Sequence, residues 1–238
     1  MSSHSDNSAL SVSAVTDKQG VKAFLQFPYD LYRGEPQWIA PLRYEKAVQV
    51  NPDKNPALNG LETQLFLAHK SGEVVGRIAA IVNPHHLALY KDNMGHFGFL
   101  DTQPDPEITK ALIAAAEAWL KQRGMTKIVG PLSFSINEEV GLLVDGFDTP
   151  PVILMPYGRP DYQTSLEAIG FSKAIDMYAY WTNMHEGYPR PKIVTTMTDY
   201  IANDPDITVR PMNRKDFLGE VQMAMEIFND AWSDNWGF

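Results

Sequence analysis

The sequence contains no cysteine. Disulfides, thiolate nucleophiles and Cys-ligated zinc or iron–sulfur centres are therefore excluded, and the chain fits a reducing compartment. Long apolar runs are missing as well. No stretch reaches the ~18 apolar residues that span a bilayer, and residues 1–15 show neither the basic nor the apolar region of a targeting peptide. Positive charge is in deficit: Lys plus Arg number 20 against 29 Asp plus Glu, a formal net charge of −9. Such a chain repels polyphosphate, so no nucleic-acid partner is expected. Neither GxGxxG nor GxxxxGK[ST] occurs, and dinucleotide and P-loop readings lack their motif. The expected setting is the cytoplasm, with peripheral membrane contact left open.

What is present is the composition of a folded chain, 44% hydrophobic and 21% charged over 238 residues, enough for a sizeable core. Residues 1–16 are Ser-rich and polar and read as disordered. Residues 18–33 carry Val21, Phe24, Leu25, Tyr29 and Tyr32 near the helical period, with Pro28 marking a bend or an early stop. Residues 34–42 are extended, with Trp38 and Ile39 as buried plugs, and 44–50 form a short helix. The runs 64–69 and 74–82 flank Lys70-Ser71-Gly72-Glu73 and predict a β-hairpin. A strand at 95–101 precedes the best-marked helix, 106–123, with Asp105 as N-cap, Pro106 at its first position and Gly124 past its end. A strand begins at 127–129. Residues 130–156 are a Gly/Pro-punctuated loop, 160–169 a helix and 173–182 an alternating strand. Residues 185–192 read as a linker, 193–203 as helical, 207–211 as a strand and 217–232 as an amphipathic helix. This order predicts a mixed α/β domain.

The segments QLFLAHKSGEVVGRIAAIV, GHFGFLD, PEITKALIAAAEAWLKQRGMTKIVG and LEAIGFSKAIDMYAY occur in a telling order. Residues 64–183 thereby resemble the acyl-CoA N-acyltransferase superfamily, the GNAT fold, from its second strand to its closing helix and strand. A closer resemblance rests on VKAFLQFPYDLYRGEPQWIAPL, SFSINEEVGLLVDGF and FNDAWSDNWGF. It is to a bacterial family of tandem GNAT-like proteins, to which bacterial ceramide synthases are similar. The resemblance implies a central, mostly antiparallel sheet flanked by helices. It also implies acyl transfer from acyl-CoA to an amine acceptor, small or lipid-like and sphingolipid-type. It further implies a GNAT-like domain over 17–183, a linker over 184–205, and over 206–238 the first strand and helix of a truncated second domain.

Two departures qualify that picture. The family holds the cofactor pyrophosphate on a Gln/Arg-x-x-Gly-x-Gly/Ala loop at a helix N-terminus. Here the stretch is LDTQPDPEI, where Asp101, Asp105 and Glu107 are acidic and Pro104 and Pro106 lack an N–H. The acid tyrosine of the family's YEKLGF motif is replaced by Leu166. Both favour an alternative reading, a non-catalytic binding or scaffold domain, and the expectation that this chain alone is inactive.

Asn137, Glu138 and Glu139 form a polar island in Gly-punctuated apolar sequence. Glu138 and Glu139 are candidate catalytic carboxylates and Asn137 a substrate contact, since a buried Glu can take a proton from an amine. The other reading is a helix cap or a turn, since Ser135 with Glu138 three residues on fits a capping box. His96 is a candidate base near the cleft. His69, His85, His86 and His96 match no metal-ligand spacing, and no metal is expected. Arg77 is either a ligand contact or a strand residue paired with a carboxylate. Tyr157, Arg159 and Tyr162 line an acceptor pocket or simply pack the loop. Phe24, Tyr29, Tyr32 and Trp38 form a lipid-facing mouth or core packing. Phe217, Val221, Met225, Phe228 and Trp232 share one helix face, which suggests a homodimer.

Overall fold

A computed structural model describes residues 9–183, 191–233, 235 and 236. The chain divides into two compact units, Met1–Ala174 and Ile175–Phe238. Most of the expected linker at 185–192 lies outside the described residues.

The first unit is mixed α/β. Its sheet has the order β1 (Ser11–Ala14), β2 (Glu62–Lys70), β3 (Glu73–Val82), β4 (Met94–Thr102), β5 (Lys127–Val129). Neighbours are antiparallel from β1 to β4, and β4 and β5 are parallel. Helices flank this sheet, as expected: α1 (Lys18–Leu31), α2 (Arg43–Gln49), α3 (Pro84–Tyr90), α4 (Pro106–Lys121) and α5 (Asp161–Ala168). The hairpin closes through Ser71 (φ 53) and Gly72 (φ 83), the two left-handed positions that a tight two-residue turn requires.

Alternation on β3 explains the layers. Ile78, Ala80 and Val82 join the α4 side of the core, with Ile108, Leu112, Ile113 and Ala116. Ala79 and Ile81 join the opposite cluster, with Phe24 of α1. A strand buried on both faces reads as a near-continuous apolar run, which is the pattern of VVGRIAAIV. Helix α4 starts as its sequence demands: the Asp105 side chain accepts from the Glu107 N–H at 3.1 Å.

The structure corrects several expectations. Ser11–Ala14 is not disordered; it pairs with Phe66–His69 of β2, and Gln64 Nε2 donates to the Val15 carbonyl just beyond it. Pro28 does not stop α1, which runs on to Leu31. Residues 84–90, to which the sequence assigned no element, form α3, whose start is capped as the Asn83 side chain accepts from the His85 and His86 N–H groups. Of the cap and the turn expected for Ser135 and Glu138, the structure has the turn, with the Glu138 N–H on the Ser135 carbonyl at 3.3 Å. Trp38 is only partly buried and Ile39 is 59% exposed, so neither is a buried plug.

Residues 173–182 and 207–211 join no ladder among the described residues. Alternation supplies the side chains for a strand, but a strand also needs a partner for its backbone groups. The second unit is helical, with α6 (Lys192–Asn203) and α7 (Phe217–Trp232). On α7, Phe217, Met225, Phe228 and Trp232 are all at least 41% exposed.

Candidate functional site

A β-bulge creates the site. Arg77 pairs with Asp101 and Ala79 with Gly98, so β4 takes one more residue than β3 over this span. A one-residue slip turns side chains to the other face. Phe97 packs on the α4 side, whereas Phe99, of the same parity, packs on the α1 side. Phe99 takes the left-handed conformation, φ 53, within the bulge. The slip carries Asp101 to the α1 side as well, where Arg77 already points.

There Arg77 and Asp101 form an ion pair at 2.7 Å, both almost fully buried. Arg77 Nη1 also donates to the Phe24 carbonyl at 3.0 Å. The Tyr32 hydroxyl donates to Asp101 Oδ1 at 2.6 Å and lies 3.2 Å from the Tyr162 hydroxyl. The Tyr162 hydroxyl accepts from the Thr102 N–H at 2.9 Å. Burial, reinforced by Asp101, pushes the Tyr162 phenol up to about 12 and Tyr32 well above its ordinary value. Both phenols therefore stay protonated through neutral pH. Arg77 is thus the strand residue paired with a carboxylate, and it also faces the cleft.

The loop over residues 130–157 forms the opposite wall. It crosses β4 directly, with the Leu132 N–H on the Phe97 carbonyl at 2.7 Å. Glycine is needed at two points of this crossing: a Cβ on Gly98 would overlap the Leu132 carbonyl, and one on Gly130 the Phe97 carbonyl. The crossing hangs Glu138 and Glu139 over α2. Lys46 Nζ bonds Glu139 Oε1 at 2.6 Å and Gln49 Oε1 at 3.1 Å, and Gln49 Nε2 donates to Glu138 Oε2. The two carboxylates differ in kind. Glu139 is neutralised by a cation, while Glu138 is held by a neutral amide. Burial raises the Glu138 pKa, outweighing Gln49 and Lys46.

Between these walls lies a cleft of about 1110 Å³. Tyr32, Arg77 and Asp101 line its floor, and Glu138, Glu139, Tyr157 and Tyr162 its sides. Ile39, Leu42, Tyr44, Val152, Ile153 and Leu154 form an apolar mouth, with Ile153 90% exposed. Tyr29 and Trp38 also line it, in edge-on contact at 5.5 Å.

Not every candidate arrives here. Asn137 is exposed and outside the lining; its N–H donates to Ser135 Oγ. Arg159 turns to Asp161 at 2.7 Å. His96 lies away from the cleft, packed edge-on against His86 at 5.1 Å with its Nδ1 buried and without a hydrogen-bond partner. Burial, with the charge of His86, lowers its pKa to about 4. Among the described residues no group of His, Asp and Glu could hold a metal ion. Lys46, Gln49, the pairing role of Asp101 and the hydrogen bond that Tyr32 makes to it escaped sequence reading. One signal existed: Arg77 and Asp101 are lone charges in consecutive apolar strands, and buried charges come in pairs.

Where the resemblance implies a cofactor phosphate, the residues are already engaged. At the N-terminus of α4 the Asp105 carboxylate already caps the Glu107 N–H and pairs with Lys70 at 3.0 Å. Leu166, where the family's acid tyrosine would stand, is buried in the α4-side core.

No protein-family model matches the chain. It is 41% identical over 227 residues to Protein YghO of Escherichia coli strain K12, spanning 95% of this chain and 57% of that protein. It is 40% identical over 235 residues to the bacterial ceramide synthase of Caulobacter vibrioides, spanning 98% of this chain and 60% of that protein. The resemblance to bacterial ceramide synthases thus runs along nearly the whole chain, and the chain covers under two thirds of either relative. Its fold is similar to that of a predicted acetyltransferase with acetyl-CoA from Clostridium acetobutylicum, at TM-score 0.45 and 13% identity over 76% of this chain and 99% of that one. No helix among the described residues is long and apolar enough to cross a membrane.

Proposed function

We propose that this chain forms the acceptor-binding part of an N-acyltransferase, and that its cleft receives a long-chain amine. The observation that carries the reading is Glu138: a half-buried carboxylate without a cationic partner of its own, on the wall of a cleft with an apolar mouth. The ammonium end of the amine lies against Glu138 and its chain against Ile39, Leu42 and Ile153. In transfer, the Glu138 carboxylate takes a proton from the ammonium, freeing the nitrogen lone pair. The nitrogen then attacks the carbonyl carbon of an acyl thioester; the C–N bond forms, the C–S bond breaks, and the thiolate leaves with the electron pair and takes the second proton from the nitrogen as the amide forms. Lys46 and Gln49 hold the two carboxylates in place. The similarity to a bacterial ceramide synthase supports acyl transfer to a lipid-like amine, with acyl-CoA as the donor class.

Titration calorimetry with a long-chain amino alcohol tests this. The 238-residue chain should bind it saturably, and Glu138→Gln and Ile153→Glu should each weaken binding. Absence of binding overturns the reading. Amide formed from acyl-CoA and that amine by this chain alone would overturn the restriction to the acceptor part.

A second reading has its own observations. The closed N-terminus of α4 and the buried Leu166 favour a non-catalytic scaffold half. It stands if the amine does not bind.

A further inference from the structure

The strongest unexplained feature is a patch of the wrong sign. In a chain of net charge −9, the groove between α1 and α2, about 290 Å³, is lined by four cationic and no acidic side chains. Lys18 and Lys22 stand one turn apart on α1, and Arg43 and Lys46 one turn apart on α2. Val21, Leu25 and Tyr29 make its floor.

Among the described residues, three of the four charges lack a countercharge. Lys18 and Lys22 are exposed, and no hydrogen bond or ion pair engages their ammonium groups among the described residues. Arg43 bonds the neutral Gln26 Oε1 at 2.6 Å and stacks 3.9 Å over the Tyr29 ring. Only Lys46 meets a carboxylate, Glu139. Like charges gathered on facing helices repel, and a bound anion relieves that repulsion while taking several charge-assisted hydrogen bonds.

We propose that this groove is a phosphate-binding subsite, for a ligand whose phosphate end lies among Lys18, Lys22 and Arg43 and whose other end reaches the cleft. Leu25, Tyr29 and Lys46 line both cavities, so the groove adjoins the cleft. A coenzyme A ester held elsewhere by its remaining contacts would meet the amine cleft with a phosphate in this groove, because the N-terminus of α4 is already closed by Asp105 and Lys70. That identification of the ligand as a coenzyme A ester rests on the acyl-transfer reading; the affinity for phosphate does not.

The test is binding, without turnover. The 238-residue chain is titrated with coenzyme A and with inorganic pyrophosphate, and sedimented with phosphatidylglycerol and with phosphatidylcholine vesicles. Binding should weaken as salt rises. Lys18→Gln/Lys22→Gln should lose at least about tenfold in affinity, Lys18→Arg/Lys22→Arg should retain it, and the charge-matched Lys121→Gln/Lys127→Gln should match the wild type. Coenzyme A binding assigns a soluble phosphate ester. Retention by phosphatidylglycerol vesicles alone, lost in the Lys18→Gln/Lys22→Gln variant, assigns a lipid headgroup. Failure to bind any probe, or equal loss in both Lys→Gln pairs, overturns the subsite. A failed amine titration would leave this result standing, so the two proposals fail separately.

Discussion

Arg77 Nη1 donates to the carbonyl oxygen of Phe24, the oxygen that Pro28, four residues on and without an N–H, leaves without its helical donor. A proline that local rules place at a helix end therefore sits inside α1, because a guanidinium from β3 supplies the missing bond. The same guanidinium holds Asp101, so one side chain ties α1, β3 and β4 together under the cleft.

Removing that side chain leaves a buried carboxylate and an orphaned carbonyl. Arg77→Met should destabilise the fold by about 3–5 kcal/mol. In that background Pro28→Ala restores an amide donor and should recover about 1 kcal/mol, whereas alone it should change little. Urea unfolding of the four proteins in the cycle measures the coupling, and strict additivity would refute the link.

The loop crossing depends on two missing Cβ atoms. Gly98→Ala should cost roughly 2–3 kcal/mol, because the overlap is with backbone and cannot be relieved by a side-chain rotation. Thermal unfolding would register it. Gly158→Ala, where a Cβ meets the Tyr162 ring and Leu143 in ordinary contact, should cost far less.

Glu138 predicts a pH profile. Burial raises its pKa above the ordinary 4.5, so the carboxylate form is lost, as pH falls, earlier than for an exposed glutamate. Amine affinity should decline as pH falls through that raised pKa. Gln49→Ala removes the hydrogen bond that opposes the rise, and should move the decline to higher pH. A profile unmoved by this substitution would exclude Glu138 as the titrating group.

His96 predicts an acid-sensitive fold. Its folded pKa, about 4, lies below the ordinary 6.5, so the unfolded chain binds the proton first. The stabilisation is complete above pH 6.5 and is lost as pH falls from there towards 4. Between pH 7 and 4.5 the wild type should lose roughly 2–3 kcal/mol more than His96→Asn, as measured by urea unfolding at the two pH values.

Much of the fold was legible because its signals are local. The Ser71-Gly72 turn, the Asp105-Pro106 start of α4 and the two-sided apolar run of β3 each act over a few residues. The strands expected at 173–182 and 207–211 show the other side. Their alternation is real, but pairing is a property of two segments. The site divides the same way. Glu138, Glu139, Tyr157 and Tyr162 could be singled out by residue type and setting, whereas His96, expected near the cleft, faces His86 instead.

The sequence by itself determined the composition-level exclusions, the order of elements and the acidic, cysteine-free character of the chain. Only the tertiary structure decided which face Asp101 takes. By parity it belongs with Phe97 on the α4 side; the extra residue of the β4 bulge turns it to Arg77 and Tyr32 instead. A side-chain direction that reverses with one residue of register depends on how two strands pair across the sheet, and no local pattern in either strand encodes that.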